Sequence, residues 1–468
     1  MASGSPGQYD PQTFAGMTFH DTLEAMREGS DTPRAYLERC LEVIEAKEPR
    51  IKAFSTLNIE GARQAADESS ERWKQNRPVS LIDGMPIGIK DLLETKDMPT
   101  EMGCEALKGN FPKRDNAAVW ALRQAGAVLI GKTVTAELGG QHPGPTANPF
   151  NLKRTPGGSS SGSAAAVGAK MIPAAIGSQV GGSIIRPAAF CGNIALKPTQ
   201  GAINRGERQI TSMSTHGVHA ASIEDMWQVA IEIANRAGGD PGQPGLCGPG
   251  TAPQPVKPER LVVLETAGWE VTDSASRSGF EEICAHLEAA GIELLHRRNN
   301  AIVEELEQAI ADASDICSVV TFWENRWGLR NLVDQYAEGI SDRSKAMLER
   351  AEATSLTDYR GALLKRELAQ AAHRALANLA DATVTLSCPG PAPVWQGDPP
   401  NQPLEPFATG NPIFNYPSSM LFAPAVTMPL MRVDGLPVGV QFFGQQQEDA
   451  RMTAFARWAL GAISPVVG

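Results

Sequence analysis

The spacing of apolar residues predicts three helices near the start of the chain. Residues 18–28, 32–46 and 59–75 have apolar side chains at helical intervals, and the second segment begins with a Thr-Pro pair that favours helix initiation. Each of these helices would leave an apolar face to be covered by other parts of the protein. We therefore expect residues 1–76 to form an N-terminal helical layer packed on a core.

Beyond this layer, short apolar segments alternate with helical ones, as they do in α/β proteins. Residues 86–89 and 128–130 are short and apolar, which is typical of buried strands, and residues 116–125 between them have a helical pattern. A long helical region over residues 302–380 precedes a further strand at 383–387. This order predicts an α/β fold built on a buried sheet.

Composition narrows the range of partners. The 468 residues are 42% hydrophobic and 20% charged, which describes a globular protein with a sizeable core. A net charge of −11 argues against nucleic acid as a partner. No secretory signal is visible at the start, and the uncharged apolar stretch 410–431 contains four prolines that would interrupt a membrane helix. We expect a cytoplasmic protein without a membrane partner.

The seven cysteines are odd in number, widely spaced and without a CxxC pair. This pattern indicates a reducing compartment and predicts no metal site. Cys191 lies in the sequence AAFCGN, whose small and apolar residues favour a buried core position over a reactive thiol.

The most informative stretch is residues 155–201, which contains a Gly-Gly-Ser-Ser-Ser-Gly-Ser turn, a small-residue helix and a second Gly-Gly-Ser. Glycine before each serine allows the backbone to approach a bound molecule closely. Amide N–H groups at the start of a helix lack an internal partner, so Gly181, Gly182 and Ser183 would bind a developing negative charge. Acyl transfer requires such a site.

These residues resemble the motifs of the amidase signature family, which run GGSS-G-S, then GGS-I-R-PA, then CG-LKPT. In the family the two serines stand 24 residues apart, as Ser159 and Ser183 do here, and a lysine follows an apolar strand some seventy residues upstream, where this chain has Lys90. Residues 435–444, GLPVGVQFFG, also resemble the family's closing strand. The resemblance implies a single α/β/α domain, a mixed central β-sheet flanked by helices, with residues 77–468 as its core.

The resemblance also implies a catalytic arrangement that needs neither cofactor nor metal. Ser183 would attack a carbonyl carbon, and Ser159, preceded by a cis peptide bond, would relay the proton to Lys90. The oxyanion hole would be formed by Val180, Gly181 and Gly182. Because lysine is almost fully charged at pH 7 with an ordinary pKa near ~10.4, burial must lower its pKa for it to act as a base.

The expected activity is that of an amidase, a serine hydrolase that cleaves the C–N bond of a small aryl or alkyl amide other than a peptide. A carbamate (urethane) or ester hydrolase with the same three residues is one alternative, because the reacting carbonyl is alike. A second alternative is the glutamine-hydrolysing subunit of a tRNA-dependent amidotransferase, which would need partner subunits. A binding scaffold without catalysis is disfavoured by the intact Lys90, Ser159 and Ser183. We expect a monomer or homodimer.

Two positions depart from the family pattern. Gln179 stands where many relatives have aspartate, and the arginine that is common two residues after the nucleophile is displaced by one position to Arg186. Both flank the proposed oxyanion loop and leave the three catalytic positions in place. We expect them to influence the substrate class and not the ability to hydrolyse.

Two local motifs and one possible ion pair allow other interpretations. Residues 126–133, GAVLIGKT, match the P-loop pattern, but Ala-Val-Leu-Ile prefers an extended buried strand. Residues 158–162, GSSSG, match the nucleophile elbow with Ser160 as nucleophile, yet that elbow needs a preceding strand and a downstream histidine. No clear candidate stands out among His216, His219, His286, His296 and His373. Lys90 could also simply pair with Asp91.

Two aromatic features of the C-terminal half concern the substrate. Phe322, Trp323 and Trp327 cluster in the long helical region, where core packing is the favoured interpretation and an apolar pocket wall is the alternative. The segment 389–407 is too rich in proline for regular structure. We expect it to form a rim of the active site, with Trp395 in contact with the substrate.

Overall fold

The computed structural model describes residues 9–207, 211–398 and 402–468. Within these residues, twelve strands form one central sheet. The strands are β1 (Phe54–Leu57), β2 (Pro86–Lys90), β3 (Val128–Thr133), β4 (Ala174–Gln179), β5 (Ile194–Lys197), β6 (Thr215–Ala220), β7 (Arg260–Val263), β8 (Glu293–Leu295), β9 (Ala382–Leu386), β10 (Ala425–Val433), β11 (Leu436–Phe443) and β12 (Val466–Val467).

The described ranges also contain fourteen α-helices, which flank the sheet. They are α1 (Leu23–Glu28), α2 (Pro33–Ile51), α3 (Ile59–Lys74), α4 (Ala117–Gln124), α5 (Ser161–Gly168), α6 (Ile185–Cys191), α7 (Ile223–Ala237), α8 (Ser274–Ala289), α9 (Ala301–Ala309), α10 (Ala313–Tyr336), α11 (Asp342–Ala353), α12 (Leu356–Ala375), α13 (Tyr416–Met420) and α14 (Asp449–Ala462). None of these helices combines the length and apolar composition needed to cross a lipid bilayer.

The sheet is mixed, as predicted. Its strands lie in the order β1-β3-β2-β4-β6-β5-β10-β11-β9-β7-β8, with β12 beside β10. β2 is parallel to both β3 and β4, and β7 is parallel to both β8 and β9. The strands between these two groups pair antiparallel. The two parallel groups therefore sit on either side of an antiparallel centre.

Alternate residues of β3 show how the sheet acquires helices on both faces. Val128 and Ile130 pack in a buried cluster with apolar side chains of α2, α3 and α5. Leu129 belongs instead to a cluster that contains the apolar faces of α4 and α7. Because successive strand residues point to opposite faces, a strand that is buried along its whole length, as β3 is, requires a cover on each side. This confirms the predicted α/β/α architecture.

The predicted N-terminal helices are present, together with a strand that was not predicted. Thr32 caps α2, since its hydroxyl oxygen accepts a hydrogen bond from the N–H of Ala35 at 3.1 Å. Between α2 and α3, residues Phe54–Leu57 form β1, which pairs antiparallel with β3 at the edge of the sheet. These four residues are too few, and too little buried, to show a strand-like alternation in the sequence.

The small residues of α5 are required by close packing, because all eight of its residues are buried. A Cβ atom on Gly162 would lie only 2.1 Å from the carbonyl oxygen of Ala53 and 2.4 Å from the backbone nitrogen of Val134. A Cβ atom on Gly168 would lie 2.2 Å from the carbonyl oxygen of Cys191. The helix that follows the first serine turn is thus held against neighbouring backbone on two sides.

The aromatic cluster of α10 is not core packing as a whole. Trp327 is 79% exposed, so the favoured prediction is wrong for this residue. The ring of Trp323 is partly buried and stacks on Tyr359 with ring centroids 5.5 Å apart. Helical spacing could not separate these outcomes, because whether a helix face is covered depends on distant segments.

We predict that Gly162→Ala lowers the free energy of unfolding by about 1 to 3 kcal/mol, because the added methyl group has no space. The matched control is Gly361→Ala on the exposed part of α12, where an added Cβ meets no atom within 4 Å. This control is expected to raise the free energy of unfolding by about 0.5 to 1 kcal/mol. Chemical denaturation measures both values, and equal stability of Gly162→Ala and wild type would contradict the close packing of α5.

Candidate active site

Strand β2 places the amine of Lys90 inside the protein, where the side chain is fully buried. The Nζ atom lies 2.8 Å from Ser159 Oγ, 2.9 Å from Ser160 Oγ and 2.9 Å from Ser178 Oγ. It also lies 3.2 Å from the carbonyl oxygen of Ser178. Lys90 and Ser159 are thus brought together as predicted, and two further serines surround the amine.

The surroundings of Lys90 favour its neutral form. Burial lowers the pKa of Lys90 well below its ordinary value, and the nearby positive charge of Arg186 acts in the same direction. A hydroxyl group can donate as well as accept a hydrogen bond, so the serines can satisfy an uncharged amine. The arrangement therefore suits a lysine that takes up a proton during a reaction.

Asp91 does not pair with Lys90, although the two are adjacent in sequence. Its carboxylate forms an ion pair with Lys132, with Nζ and Oδ1 2.9 Å apart, and both side chains are buried. The Lys132 amine also donates to Thr100 Oγ1 at 2.7 Å. Lys132 lies within β3, so the P-loop-like segment is a buried strand and not a phosphate-binding loop. The ion-pair interpretation of Lys90 is likewise wrong.

The first serine turn joins α5 to the rest of the site. The peptide bond between Gly158 and Ser159 is cis, as the resemblance implied. Ser160, which precedes the first residue of α5, is fully buried, and its N–H donates to the carbonyl oxygen of Ser183 at 3.4 Å. This bond links the two serine turns directly.

The nucleophile-elbow interpretation of Ser160 is not supported. No strand immediately precedes the GSSSG turn in the described chain, and the hydroxyl of Ser160 is directed to Lys90 and to the carbonyl oxygen of Ser178. Among the described residues, no histidine forms a hydrogen bond with Ser160. His216 and His219 are buried nearby, and burial lowers the pKa of each to about 3.

The second serine turn runs from the end of β4 to α6 and contains Val180, Gly181, Gly182 and Ser183. Gln179 holds its far end, because Oε1 accepts hydrogen bonds from the N–H groups of Ile184 at 2.8 Å and Ile185 at 3.1 Å. The Gln179 amide also donates to Ser419 Oγ at 3.0 Å, and that hydroxyl donates to the carbonyl oxygen of Gly181 at 2.9 Å. Gln179 therefore fixes the loop at two points.

Arg186 connects both turns to a distant segment. Its Nε donates to the carbonyl oxygen of Thr409 at 2.9 Å, and a terminal nitrogen donates to the carbonyl oxygen of Gly158 at 2.5 Å. The side chain is only 4% exposed. The displaced arginine thus supports the residue that precedes Ser159.

Cys191 at the end of α6 is buried, and its thiol donates to the carbonyl oxygen of Pro156 at 3.3 Å. Burial raises the pKa of this thiol well above its ordinary value, which agrees with a core residue and not with a reactive one. All seven cysteines are free. Within the described ranges, histidine, cysteine and acidic side chains do not cluster in a metal-binding arrangement.

Similarity to known proteins identifies the family of the chain. The profile of the Amidase family matches residues 35–452. The chain belongs to the amidase family. A glutamyl-tRNA(Gln) amidotransferase subunit of Chloroflexus aggregans is 32% identical over 465 residues, with 92% of each chain covered.

Solved structures agree with this assignment. The crystal structure of an amidase has a TM-score of 0.81 and 26% identity, covering 96% of this chain and 100% of that one. The peptide amidase of Stenotrophomonas maltophilia has a TM-score of 0.76 and 25% identity, covering 97% and 99%. The protein is therefore an amidase-family enzyme that hydrolyses C–N bonds.

In this amidase-family enzyme, Ser159, Ser178 and Ser183 line a cavity of about 880 Å³. Apolar side chains that line it are Leu92, Met102, Trp120, Leu138, Val180 and Met347. Charged side chains that line it are Glu94, Lys96, Lys113, Arg114, Asp115, Arg205, Glu207 and Arg236. Among the latter, Arg114 and Glu207 form an ion pair that is largely exposed, which places charge at the solvent side.

A smaller cavity of about 120 Å³ also reaches Ser183 and is lined by Phe322 and Phe407. The proline-rich segment thus contributes its last residue, Phe407, to the site. Trp395 lines a third cavity that contains none of the predicted catalytic residues, so the prediction that it contacts the substrate is not supported. The side chain of Arg343 lies over its ring instead, 5.3 Å from the centroid.

Ser178 was missed from the sequence, although it contacts Lys90 as closely as Ser160 does. It is a single serine near the end of an apolar strand, directly before Gln179, and its position in the sequence indicates no role. The available signal was topological, because β4 is parallel to β2 and both strands end at the same edge of the sheet. His216 lies opposite Ser178 on β6 and was considered only as a triad histidine.

We predict that Asp91→Asn lowers the free energy of unfolding by about 3 to 5 kcal/mol, because Lys132 is left buried without a counter-ion. The double variant with Lys132→Met is expected to lose less than the sum of the two single changes, with a coupling energy of about 0.5 to 3 kcal/mol. A second cycle combines Asp91→Asn with Lys90→Met. A larger coupling in that cycle would mean that Lys90 is the true partner of Asp91.

Proposed function

We propose that the protein is a serine amidohydrolase that cleaves a small aryl or alkyl amide, other than a peptide, through an acyl-enzyme on Ser183. The observation that supports this most directly is the fully buried Lys90 amine, 2.8 Å from Ser159 Oγ. A serine hydroxyl needs a base to become a nucleophile, and an uncharged lysine can serve as one. Lys90 is the base of this proposal.

In the first step, the Ser183 oxygen attacks the carbonyl carbon while its proton passes to Ser159 and the Ser159 proton passes to Lys90. When the C–N bond breaks, the proton returns from Lys90 through Ser159 to the leaving nitrogen. A water molecule then attacks the acyl-enzyme by the same proton path and releases the acid. Lys90 ends each half of the cycle uncharged, so no external acid or base is consumed.

The loop Val180, Gly181, Gly182 supplies the oxyanion hole in this proposal. Gln179 accepts hydrogen bonds from the N–H groups of Ile184 and Ile185, which lie just beyond the loop. Within the described residues, the N–H groups of Gly181 and Gly182 have no protein acceptor. They are thus available to a developing negative charge at a position fixed before substrate binds.

Part of the lining of the large cavity supports the proposed substrate class. Leu92, Met102 and Leu138 line the large cavity beside Ser159, which supports an aryl or alkyl group there. A carbamate or ester presents the same carbonyl carbon and oxyanion, so the proposed residues would also hydrolyse these compounds.

A second candidate is the glutamine-hydrolysing subunit of a tRNA-dependent amidotransferase. The 32% identity to the Chloroflexus aggregans protein over 92% of each chain favours it. A subunit of this kind would depend on partner subunits for full activity. The purified chain would then hydrolyse glutamine weakly and simple anilides hardly at all.

We predict that a fluorophosphonate labels the wild-type protein once and does not label Ser183→Ala. Lys90→Met and Ser159→Ala are expected to be labelled at least about a hundredfold more slowly, because the proton acceptor or its relay is lost. Intact-mass spectrometry measures labelling, and circular dichroism verifies that each variant is folded. Labelling of Ser183→Ala at the wild-type rate would place the nucleophile elsewhere.

Release of aniline from anilides and carbamates, compared with release of ammonia from glutamine, separates the two candidates. Turnover of anilides by the isolated chain supports the amidohydrolase. Turnover of glutamine alone, with anilides untouched, would favour the amidotransferase subunit.

We predict that kcat/KM for an anilide rises with pH along a single ionisation whose midpoint lies well below 10.5, the ordinary pKa of lysine. The sign follows from the mechanism, because only uncharged Lys90 accepts a proton and burial lowers its pKa. Lys90→Arg is the matched control, since arginine stays charged and is expected to be inactive throughout. A kcat/KM that falls with pH, or that rises with a midpoint at or above 10.5, would exclude Lys90 as the base.

A further inference from the structure

Two cavities of very different size meet at Ser183. Both are lined by Gly139, Gly140, Val180, Ser183, Thr321 and Met347, so these residues form the boundary between them. The large cavity has a volume of about 880 Å³ and the small one about 120 Å³. A scissile amide at Ser183 therefore has its two substituents in unequal spaces.

We propose that the leaving amine occupies the large cavity and the acyl substituent occupies the small one, so that the enzyme removes short acyl groups from bulky amines. This inference rests on the proposed function, since it takes Ser183 as nucleophile and Ser159 as proton relay. It goes further by assigning each side of the substrate to a place in the structure.

The position of Ser159 decides the orientation. When the C–N bond breaks, the electron pair stays on nitrogen, which must receive the proton that Ser159 delivers from Lys90. A proton donor has to lie within about 2.6 to 3.2 Å of the atom that it protonates. Ser159 lines the large cavity and does not line the small one. The leaving nitrogen and its substituent must therefore lie on the side of the large cavity.

His216 lies on the same side as Ser159. Its side chain is 8% exposed, lines the large cavity, and has both ring nitrogens without a hydrogen-bond partner in the described chain. It faces Ser178 across the β4–β6 pair. An uncharged imidazole has one donor and one acceptor nitrogen, so a small shift of the ring would let it accept a hydrogen bond from an N–H group or donate one to an acceptor on an aryl amine.

The small cavity limits the acyl group. Its volume of about 120 Å³ is roughly a seventh of the 880 Å³ of the large cavity, so it suits the smaller of the two substituents. Phe322, Phe407 and Tyr416 line this space. Acetyl to butyryl groups, or a short alkoxycarbonyl group of a carbamate, match it. The acyl part of glutamine is larger and carries two charges, which the assignment does not accommodate.

The test is a series of anilides of one aromatic amine with acetyl, butyryl, hexanoyl and octanoyl groups. We expect kcat/KM to fall at least tenfold between butyryl and octanoyl. In a second series, acetamides of methylamine, aniline and a naphthylamine, we expect kcat/KM to stay level or rise. A preference for octanamide over acetanilide would overturn the proposed orientation.

Variants of Phe322 test whether the small cavity limits the length of the acyl chain of the substrate. Phe322→Ala is expected to raise kcat/KM for the hexanoyl anilide at least fivefold relative to the acetyl anilide, and Phe322→Leu to do so less. Trp323→Ala is the matched control, because this neighbour on α10 lines neither cavity and is expected to keep the wild-type profile. An unchanged profile in both Phe322 variants would overturn the assignment of the small cavity.

Trp120→Ala tests the large cavity, since Trp120 lines it and is 46% exposed. We expect this variant to change KM for the naphthylamide and to leave the acyl-length profile as in wild type. A change confined to the acyl series would contradict the orientation. The acyl and amine series test the orientation alone. Fluorophosphonate labelling tests the proposed function separately, which is overturned if Ser183 is not the labelled residue.

Discussion

The burial of the Lys90 amine among serine oxygens is the constraint on which the rest of the site depends. An ammonium group that leaves water without a counter-ion loses several kcal/mol of hydration, so burial favours release of its proton. The serines around Lys90 keep the uncharged amine hydrogen-bonded, because each hydroxyl can donate or accept. One environment therefore makes the lysine compatible with the core and suits it to the role of base that we propose.

The fold separates the Lys90 amine from the carboxylate of Asp91, whose negative charge would raise the pKa of the lysine. Lys90 is the last residue of β2 and Asp91 follows it directly, and successive residues of an extended chain point to opposite sides. Asp91 therefore meets Lys132 of β3, while Lys90 meets the serines. The strand also lies between parallel neighbours, β3 and β4, which exclude water from both edges. Backbone alternation thus determines which charges pair.

The local sequence predicted those residues of the site that belong to a motif with a characteristic spacing or turn. Lys90, Ser159 and Ser183 were predicted because each belongs to a motif, and the strands and helices near them follow from apolar spacing. Ser178 was missed because a single serine at a strand end carries no such signal. The prediction for Trp395 is not supported, because the position of its ring depends on distant contacts, such as the one with Arg343. Cavity shape depends on such contacts throughout, so it could not be predicted from the chain.

In our proposal, Gln179 is a departure from the family pattern that acts on substrate choice without touching the catalytic residues. An aspartate at this position could accept the N–H groups of Ile184 and Ile185, but its carboxylate could not donate to Ser419 as the glutamine amide does. Ser419 in turn donates to the carbonyl oxygen of Gly181 and lies on α13, whose first residue, Tyr416, lines the small cavity. In our proposal, the glutamine thereby couples the position of the oxyanion loop to a wall of the small cavity, which would link the rate of acylation to the size of the acyl group.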